Sequence, residues 1–315
     1  MITIRFRDFP GESSYGHFCE LIELATGQKV TISRDESSRV DLEITGPYGR
    51  DANFYKTPLI KRIKRLGYIV ISNGRHLAIR NLASGIQPSK NALKSIWYTG
   101  ENVRPPQGTW NGYISFDTNL PKDRNVYLPL WFLTSTDLFK STTKSYWGGK
   151  VPKIEELTQR RKFSRAKGKF VVSFIGKMYP MRLHAIEALS KIGEVDIFGE
   201  SARNKVNTPS KVASNYNFTL CFENDIYPGY VTEKPIESYL SGTVPLYYGL
   251  DTLGYLNPAA MVNLMDFSNV SDWIERIKHI KSNLDSYKEV YEEPMLLKTP
   301  SLEEAINLIR KILKD

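Results

Sequence analysis

The sequence predicts an α/β protein of two units, each built on a largely parallel sheet. Three observations carry this reading. A chain of 315 residues is long enough for two domains of roughly 150 residues each. Short β-branched runs alternate with helix-spaced runs along both halves. Between the halves the composition turns charged and poor in core residues, as KVPKIEELTQRRKFSRAKGK over residues 150–169. The expected division is an α/β domain over 1–150, a charged linker or exposed connecting helix over 151–169, a second α/β domain over 170–300, and a helix over 301–315.

In order along the first half, Ile2 to Phe6, Val30 to Ser33 and Val40 to Thr45 read as strands. Gly16 to Leu24 reads as a helix that gathers Phe18, Leu21, Ile22 and Ala25 on one face. Pro58 to Leu66 reads as a short basic helix leading into a strand at Tyr68 to Ser72. Ser95 to Thr99 is a strand that runs straight into Gly100-Glu101-Asn102. In the second half the strands are Phe170 to Phe174, Glu194 to Phe198, Phe218 to Phe222 and Val244 to Tyr248. The helices there are Arg182 to Lys191, Thr232 to Leu240 and the amphipathic Leu302 to Leu313. That last helix brings Ala305, Ile306, Leu308, Ile309 and Ile312 together, as a helix packing on the body requires.

Composition removes several classes of function. Charged residues at 24% and hydrophobic ones at 41% are ordinary for a globular protein, which excludes disorder and collagen. Cys19 and Cys221 stand far apart, and His17, His76, His184 and His279 are scattered, so no metal cage or redox motif is expected. No apolar run reaches the roughly 20 residues of a membrane span. MITIRFRDFPGESS reads as a strand and a turn without a signal peptide's apolar core, and the expected location is cytoplasmic. Lys plus Arg at 43 against Asp plus Glu at 34 leaves a net +9, which favours anionic partners. Weak peripheral contact with a membrane surface is compatible with that surplus.

The richest segment is FTLCFENDIYPGYVTEKPIESYLSGTVPLYYG, residues 218–249. A strand ends in polar residues, a Pro-Gly loop follows, and a helix is expected to start at an N-cap Thr232, with Pro235 in its first turn and Gly242 past its end. Lys234 puts a cation where the helix dipole prefers an anion. A bound diphosphate is the expected compensating charge. Glu233 is suited to ribose hydroxyls. Two further elements add to this. Glu101 lies just past a strand's carboxyl end, where α/β sheets hold ligands and where a carboxylate can act as a base. Arg182 opens a helix and can grip phosphate with paired donors.

Together these motifs resemble the α1,3/4-fucosyltransferase family, in its soluble bacterial form. The resemblance rests on Tyr98-Thr-Gly-Glu-Asn, on Phe170-Val-Val-Ser with Arg182, and on Phe222-Glu-Asn-Asp, Gly229-Tyr-Val-Thr-Glu-Lys, Val244-Pro, Gly249 and Asp266-Phe267. Several ordered motifs are far more specific than any one alone. The resemblance implies a GT-B-like fold, with two Rossmann-like domains facing across a cleft, the acceptor on the first and the GDP-sugar on the second. It implies transfer of fucose from GDP-fucose to a hydroxyl of an acceptor oligosaccharide or other hydroxylated acceptor, with inversion. Glu101 falls on the family's general base. Arg182, Asn224, Tyr230, Glu233 and Lys234 fall on its donor and GDP contacts. No metal is implied, and the chain has no Asp-x-Asp to hold one. Two positions depart from the family pattern: Phe174 stands where Asn is frequent, and Pro235 replaces an aliphatic residue. The competing expectations are a transferase of another GDP-sugar, or a non-catalytic basic protein that stacks glycan or nucleic acid on residues such as Trp110 and Tyr113.

Overall fold

A computed structural model describes residues 1–9, 12, 15–47, 67–71, 75–79, 86–101, 103–106, 109–135, 137–142, 145–163 and 168–314. The helix expected over Pro58–Leu66 and Asn102 of the Thr-Gly-Glu-Asn run lie outside the described residues.

The first unit is built on β1 (Ile2–Arg7), α1 (Tyr15–Thr26), β2 (Val30–Ile32), β3 (Val40–Thr45), the pair β4 (Gly67–Ile71) and β5 (Arg75–Ile79), β6 (Ala92–Tyr98), β7 (Gly112–Ile114) and β8 (Asn125–Val126). Six of these strands form one sheet in the order β2-β1-β3-β6-β7-β8, with every pairing parallel. The strand expected at 68–72 does not join it. It pairs antiparallel with β5 as a separate hairpin. Helix α1 buries Phe18, Leu21, Ile22 and Ala25, the stripe its spacing predicts.

A short helix α2 (Ile154–Thr158) lies in the charged stretch. That stretch is less exposed than its composition suggests. Ile154 and Leu157 are buried. The Arg161 guanidinium is stacked between the rings of Tyr239 at 3.9 Å and Tyr291 at 3.7 Å. It also donates to the carbonyls of Tyr291, Tyr239 and Thr243. A guanidinium suits this position because its flat faces stack while its rim donates. The expectation of an exposed connecting helix is thereby corrected.

The second unit comprises β9 (Lys169–Phe174), α3 (Pro180–Ser190), β10 (Val195–Phe198), α4 (Pro209–Ala213), β11 (Tyr216–Phe222), α5 (Lys234–Leu240), β12 (Val244–Tyr248), β13 (Val262–Asn263), α6 (Val270–Ser282) and α7 (Leu284–Glu292). Its sheet is also all parallel, in the order β10-β9-β11-β12-β13. Every residue of β12 is buried, as expected of a strand covered on both faces.

The helix α8 (Glu303–Lys314) returns to the first unit. Its buried Ala305, Leu308, Ile309 and Ile312 share a core with Phe18, Leu21 and Ile22 of α1 and with Ile114 of β7. Arg310 Nε donates to Ala25 O at 3.0 Å and ties the two helices together. The same core continues into the second unit through Val231, Ile236 and Tyr247. The chain therefore passes between the units twice, once on each side of the second sheet's sequence.

Candidate functional site

The two sheets meet where β6, β9 and β11 end. On the first side, Tyr98 closes β6 and the chain turns at Thr99-Gly100-Glu101. Thr99 Oγ1 donates to Glu101 O at 2.8 Å and receives Glu101 N–H at 3.3 Å, so one hydroxyl shapes the turn. Gly100 makes room for the neighbouring ring, since a Cβ there would stand 2.7 Å from the Tyr98 hydroxyl. The Glu101 backbone is held, while no described residue donates to its carboxylate.

On the second side the organising group is Glu223, the residue directly after β11. Its side chain is 0% exposed. Oε1 accepts the Thr232 N–H at 2.8 Å and the Tyr247 hydroxyl at 3.0 Å. Oε2 accepts the Thr232 hydroxyl at 2.7 Å and Lys234 Nζ at 3.0 Å. Four donors fill the roughly four lone-pair sites of a carboxylate. Gly249 is part of the same arrangement, because a Cβ there would lie 2.1 Å from the Tyr247 hydroxyl that reaches Glu223.

This geometry corrects two sequence expectations. The anion beside Lys234 belongs to the chain: it is Glu223, across the loop after β11 and eleven residues earlier. Thr232 also does not cap the helix. The cap position is Glu233 without a side-chain cap bond, α5 has only seven residues, and the Thr232 hydroxyl serves Glu223. The remaining expectations for this helix agree with the structure: Pro235 stands in the first turn, and Gly242 follows the C-cap with φ of +76°.

Lys234 nevertheless keeps capacity for a ligand. It donates to Glu223 and, at 2.9 Å, to Thr232 Oγ1, which leaves one of its three donors. Burial alone would pull its ammonium pKa down, but the Glu223 and Glu233 carboxylates outweigh burial and hold it above its ordinary value. Glu233 is affected in the opposite way. Burial pushes its carboxyl up, Lys234 opposes, and the charges of Glu223 and Glu101 push it further up.

Arg182, in the first turn of α3, points back at the strand end. Its Nη1 donates to Lys177 O at 2.8 Å, and Nη2 donates to Phe222 O at 2.7 Å and Asn224 Oδ1 at 2.9 Å. Three of five donors are thus used to hold the turn after β11. Asn224 itself is exposed, with its amide oxygen turned to Arg182. Tyr230 is buried edge-on against Phe116 at 5.2 Å, in the second-unit loop between β11 and α5 that packs on the first unit. That loop is held from the first unit. Asn119 Nδ2 donates to the Tyr227 hydroxyl at 3.0 Å, the Tyr227 hydroxyl donates to Asp117 Oδ1 at 3.2 Å, and the Tyr127 hydroxyl donates to Gly229 O at 3.1 Å.

A cavity of about 120 Å³ opens at this point, lined by Arg182, Glu233, Lys234, Trp147, Phe174 and the ends of β9 and β11. Phe174, which replaces the family's frequent Asn, packs edge-on against Trp147 at 5.0 Å and forms an aromatic wall. The residues expected around the donor therefore converge, Tyr230 from the buried loop behind them. The first side faces them, because the Glu101 charge reaches Glu233. Sequence reasoning passed over Glu223, although it sits inside the quoted Phe-Glu-Asn-Asp run. A charged residue directly after the apolar end of a strand, Leu220-Cys221-Phe222, was the available signal. Trp110 and Tyr113, the aromatics suggested for stacking, are 1% and 5% exposed and belong to a core with Trp97. That stacking expectation is corrected. Among the described residues, no group of three or more His, Cys, Asp or Glu side chains is arranged to hold a metal ion.

Two parallel-sheet α/β units meeting at their strand ends define a GT-B-like fold. The fold matches over the whole chain that of a solved α1,3-fucosyltransferase with GDP-fucose, at a TM-score of 0.66 and 21% identity, covering 90% of that structure. Residues 164–296 match the C-terminal region of glycosyltransferase family 10 (fucosyltransferase). The alpha-(1,3)-fucosyltransferase FucT of Helicobacter pylori is 31% identical over 229 residues, which is 64% of this chain and 47% of that protein. The mouse 4-galactosyl-N-acetylglucosaminide 3-alpha-L-fucosyltransferase 9 is 31% identical over 111 residues, 34% of this chain and 31% of that protein. The chain thus spans about half the length of these relatives or less.

Proposed function

We propose that this protein transfers fucose from GDP-fucose to a hydroxyl of an acceptor glycan, in α1,3 linkage and with inversion. The observation that carries the reading is the pairing of an unsaturated carboxylate, Glu101, with two partly unsaturated cations, Arg182 and Lys234, on opposite sides of one cleft. Glu101 takes the proton of the acceptor hydroxyl. The oxygen attacks the anomeric carbon opposite the GDP, and the bond from that carbon to the diphosphate oxygen breaks. The transition state has oxocarbenium character, as in other glycosyl chemistry. Negative charge grows on the departing diphosphate, where Arg182 and Lys234 stabilise it. Asn224 and Tyr230 complete the donor contacts, and Glu233 accepts from the ribose.

In this reading the two cations supply the positive charge a divalent ion would otherwise bring. The reading includes a cytoplasmic location with at most peripheral membrane contact, supported by the basic surplus. No helix among the described residues is long and apolar enough to cross a membrane.

The test is thermal unfolding with GDP, UDP and ADP, each with and without EDTA, followed by hydrolysis of GDP-fucose beside GDP-mannose. A ligand that binds only the folded state raises the melting temperature. The expected result is a shift with GDP alone, unchanged by EDTA, and hydrolysis of GDP-fucose. Equal shifts with all three nucleotides, or none, would sink the donor assignment.

A further inference from the structure

One aromatic side chain stands apart from the rest. Among the described residues, Tyr146 is the one Phe, Tyr or Trp in the exposed class, with 53% of its surface open. It is the middle of Ser145-Tyr146-Trp147, and its neighbours point inward. Trp147 lines the cavity beside Lys234, and Ser145 is buried. This short run is fixed from below by Glu237 of α5, itself 2% exposed. Glu237 Oε1 accepts the Tyr146 N–H at 2.8 Å, and the Ser145 side chain and the Trp147 backbone lie near enough to favour its charged form. The ring is therefore mounted on a rigid support and leans into solvent.

Its place beside the cavity is fixed by its bond to Glu237 of α5 and by Trp147, the next residue, which lines the cavity with Glu233 and Lys234, and the charges around it agree. The carboxylates of Glu233, Glu101 and Glu237 all lie within electrostatic reach of the Tyr146 phenol. Tyr98, at the base of the Glu101 turn, senses Tyr146 in turn. Tyr146 thus stands at the mouth of the cleft, between the residue assigned as base and the residues assigned to the donor.

We propose that Tyr146 is the platform on which the acceptor's sugar ring stacks, so that its reacting hydroxyl is presented to Glu101. This rests on the transferase reading and extends it to the acceptor. A pyranose has an apolar face of C–H bonds that suits an aromatic plane, and a phenol at the ring edge can bond a sugar hydroxyl. Tyrosine orders little on binding, having two side-chain torsions, and the Glu237 support has already fixed its backbone. The Glu101 carboxylate to which the acceptor hydroxyl is presented disfavours an anionic acceptor, so the terminal ring it takes is uncharged.

The experiment compares wild type, Tyr146→Ala and Tyr146→Trp by saturation-transfer NMR with N-acetyllactosamine, by transfer kinetics with the same sugar, and by the GDP-induced melting shift. Tyr146→Ala is expected to raise the acceptor KM about tenfold at little-changed kcat. It should leave the GDP shift intact, and Tyr146→Trp, which keeps a ring, should recover most of the loss. An alanine variant with acceptor KM within twofold of wild type overturns the proposal. So does one that loses its GDP shift, because the ring then serves the donor. Wild-type protein that shows the GDP shift but no sugar signal also overturns the platform and leaves the donor reading standing. A sugar signal that depends on Tyr146 without any GDP shift supports the platform and sinks the transferase reading alone.

Discussion

Glu101 and Glu223 each follow the end of a parallel strand, and each lies at the same cleft. They differ in how their oxygens are occupied. Glu223 accepts four hydrogen bonds within its own unit, one of them from an ammonium. Glu101 has its backbone pinned by Thr99 and its carboxylate left without a donor among the described residues. A saturated buried carboxylate has no lone pair left to take a proton, so its work is to hold Lys234 and the Thr232 turn in place. An unsaturated one on a fixed turn is available for chemistry. Counting donors separates the two roles where residue type and strand position do not.

The strongest way to break this comparison is Glu101→Gln. Gln keeps the size and cannot take a proton at neutral pH. Turnover is expected to fall by about a hundred- to ten-thousand-fold, the range for a lost general base. The GDP-induced melting shift should persist, because the assigned GDP contacts are on the second unit. Transfer at the wild-type rate by a folded variant would move the base elsewhere.

Glu223→Ala tests the other half. It takes the hydrogen-bonded carboxylate from the largely covered Lys234 and leaves the buried Thr232 and Tyr247 donors unmatched, and the expected loss of stability is about 3–5 kcal/mol. Gly249→Ala is the milder form: it crowds the Tyr247 ring and takes one donor from Glu223, the lost bond alone costing about 1–3 kcal/mol. Urea unfolding measures both, and in the double variant the hydrogen-bond part of the Gly249 effect should vanish while the ring clash stays. Full additivity would mean that Gly249 acts through the ring clash alone and not through Glu223.

The smallest effect concerns Glu237. Burial pushes its carboxyl up to about 7, against the groups of the 145–147 run that favour its charged form. The native state then holds a proton that the unfolded state has already released. This contribution to stability is therefore full below the ordinary glutamate range and is lost as pH rises toward 7. Glu237→Gln should flatten the pH dependence of the melting temperature across that window. An unchanged slope would show that Glu237 titrates normally.

Much of this was legible from the residues. β3 and β12 begin and end where their β-branched and aromatic runs do, and α1 and α8 bury the stripes their spacing predicts. Strands β7, β8 and β13 hold three, two and two residues, too few to display an alternation. The donor-side residues were legible as a group, because they lie on two short runs. Glu223 as partner of Lys234 was not, because the pairing spans a strand end and a loop. Local rules therefore assigned Lys234 an external anion and Thr232 a cap. Trp110 and Tyr113 looked available because aromatic residues carry no sequence mark of burial, and Tyr146 went unremarked for the same reason.

The return of α8 to the first unit sets an order of events during synthesis. Leu308, Ile309 and Ile312 complete the core that α1 forms with the first sheet, over β7, yet the ribosome makes them after all of β9 to α7. Domains generally fold as units, the earlier one first as the chain emerges. Here the earlier unit has to wait with part of its core uncovered while the later one completes. Its apolar faces are exposed to chaperones, or to neighbouring nascent chains, for the time needed to translate the entire second unit.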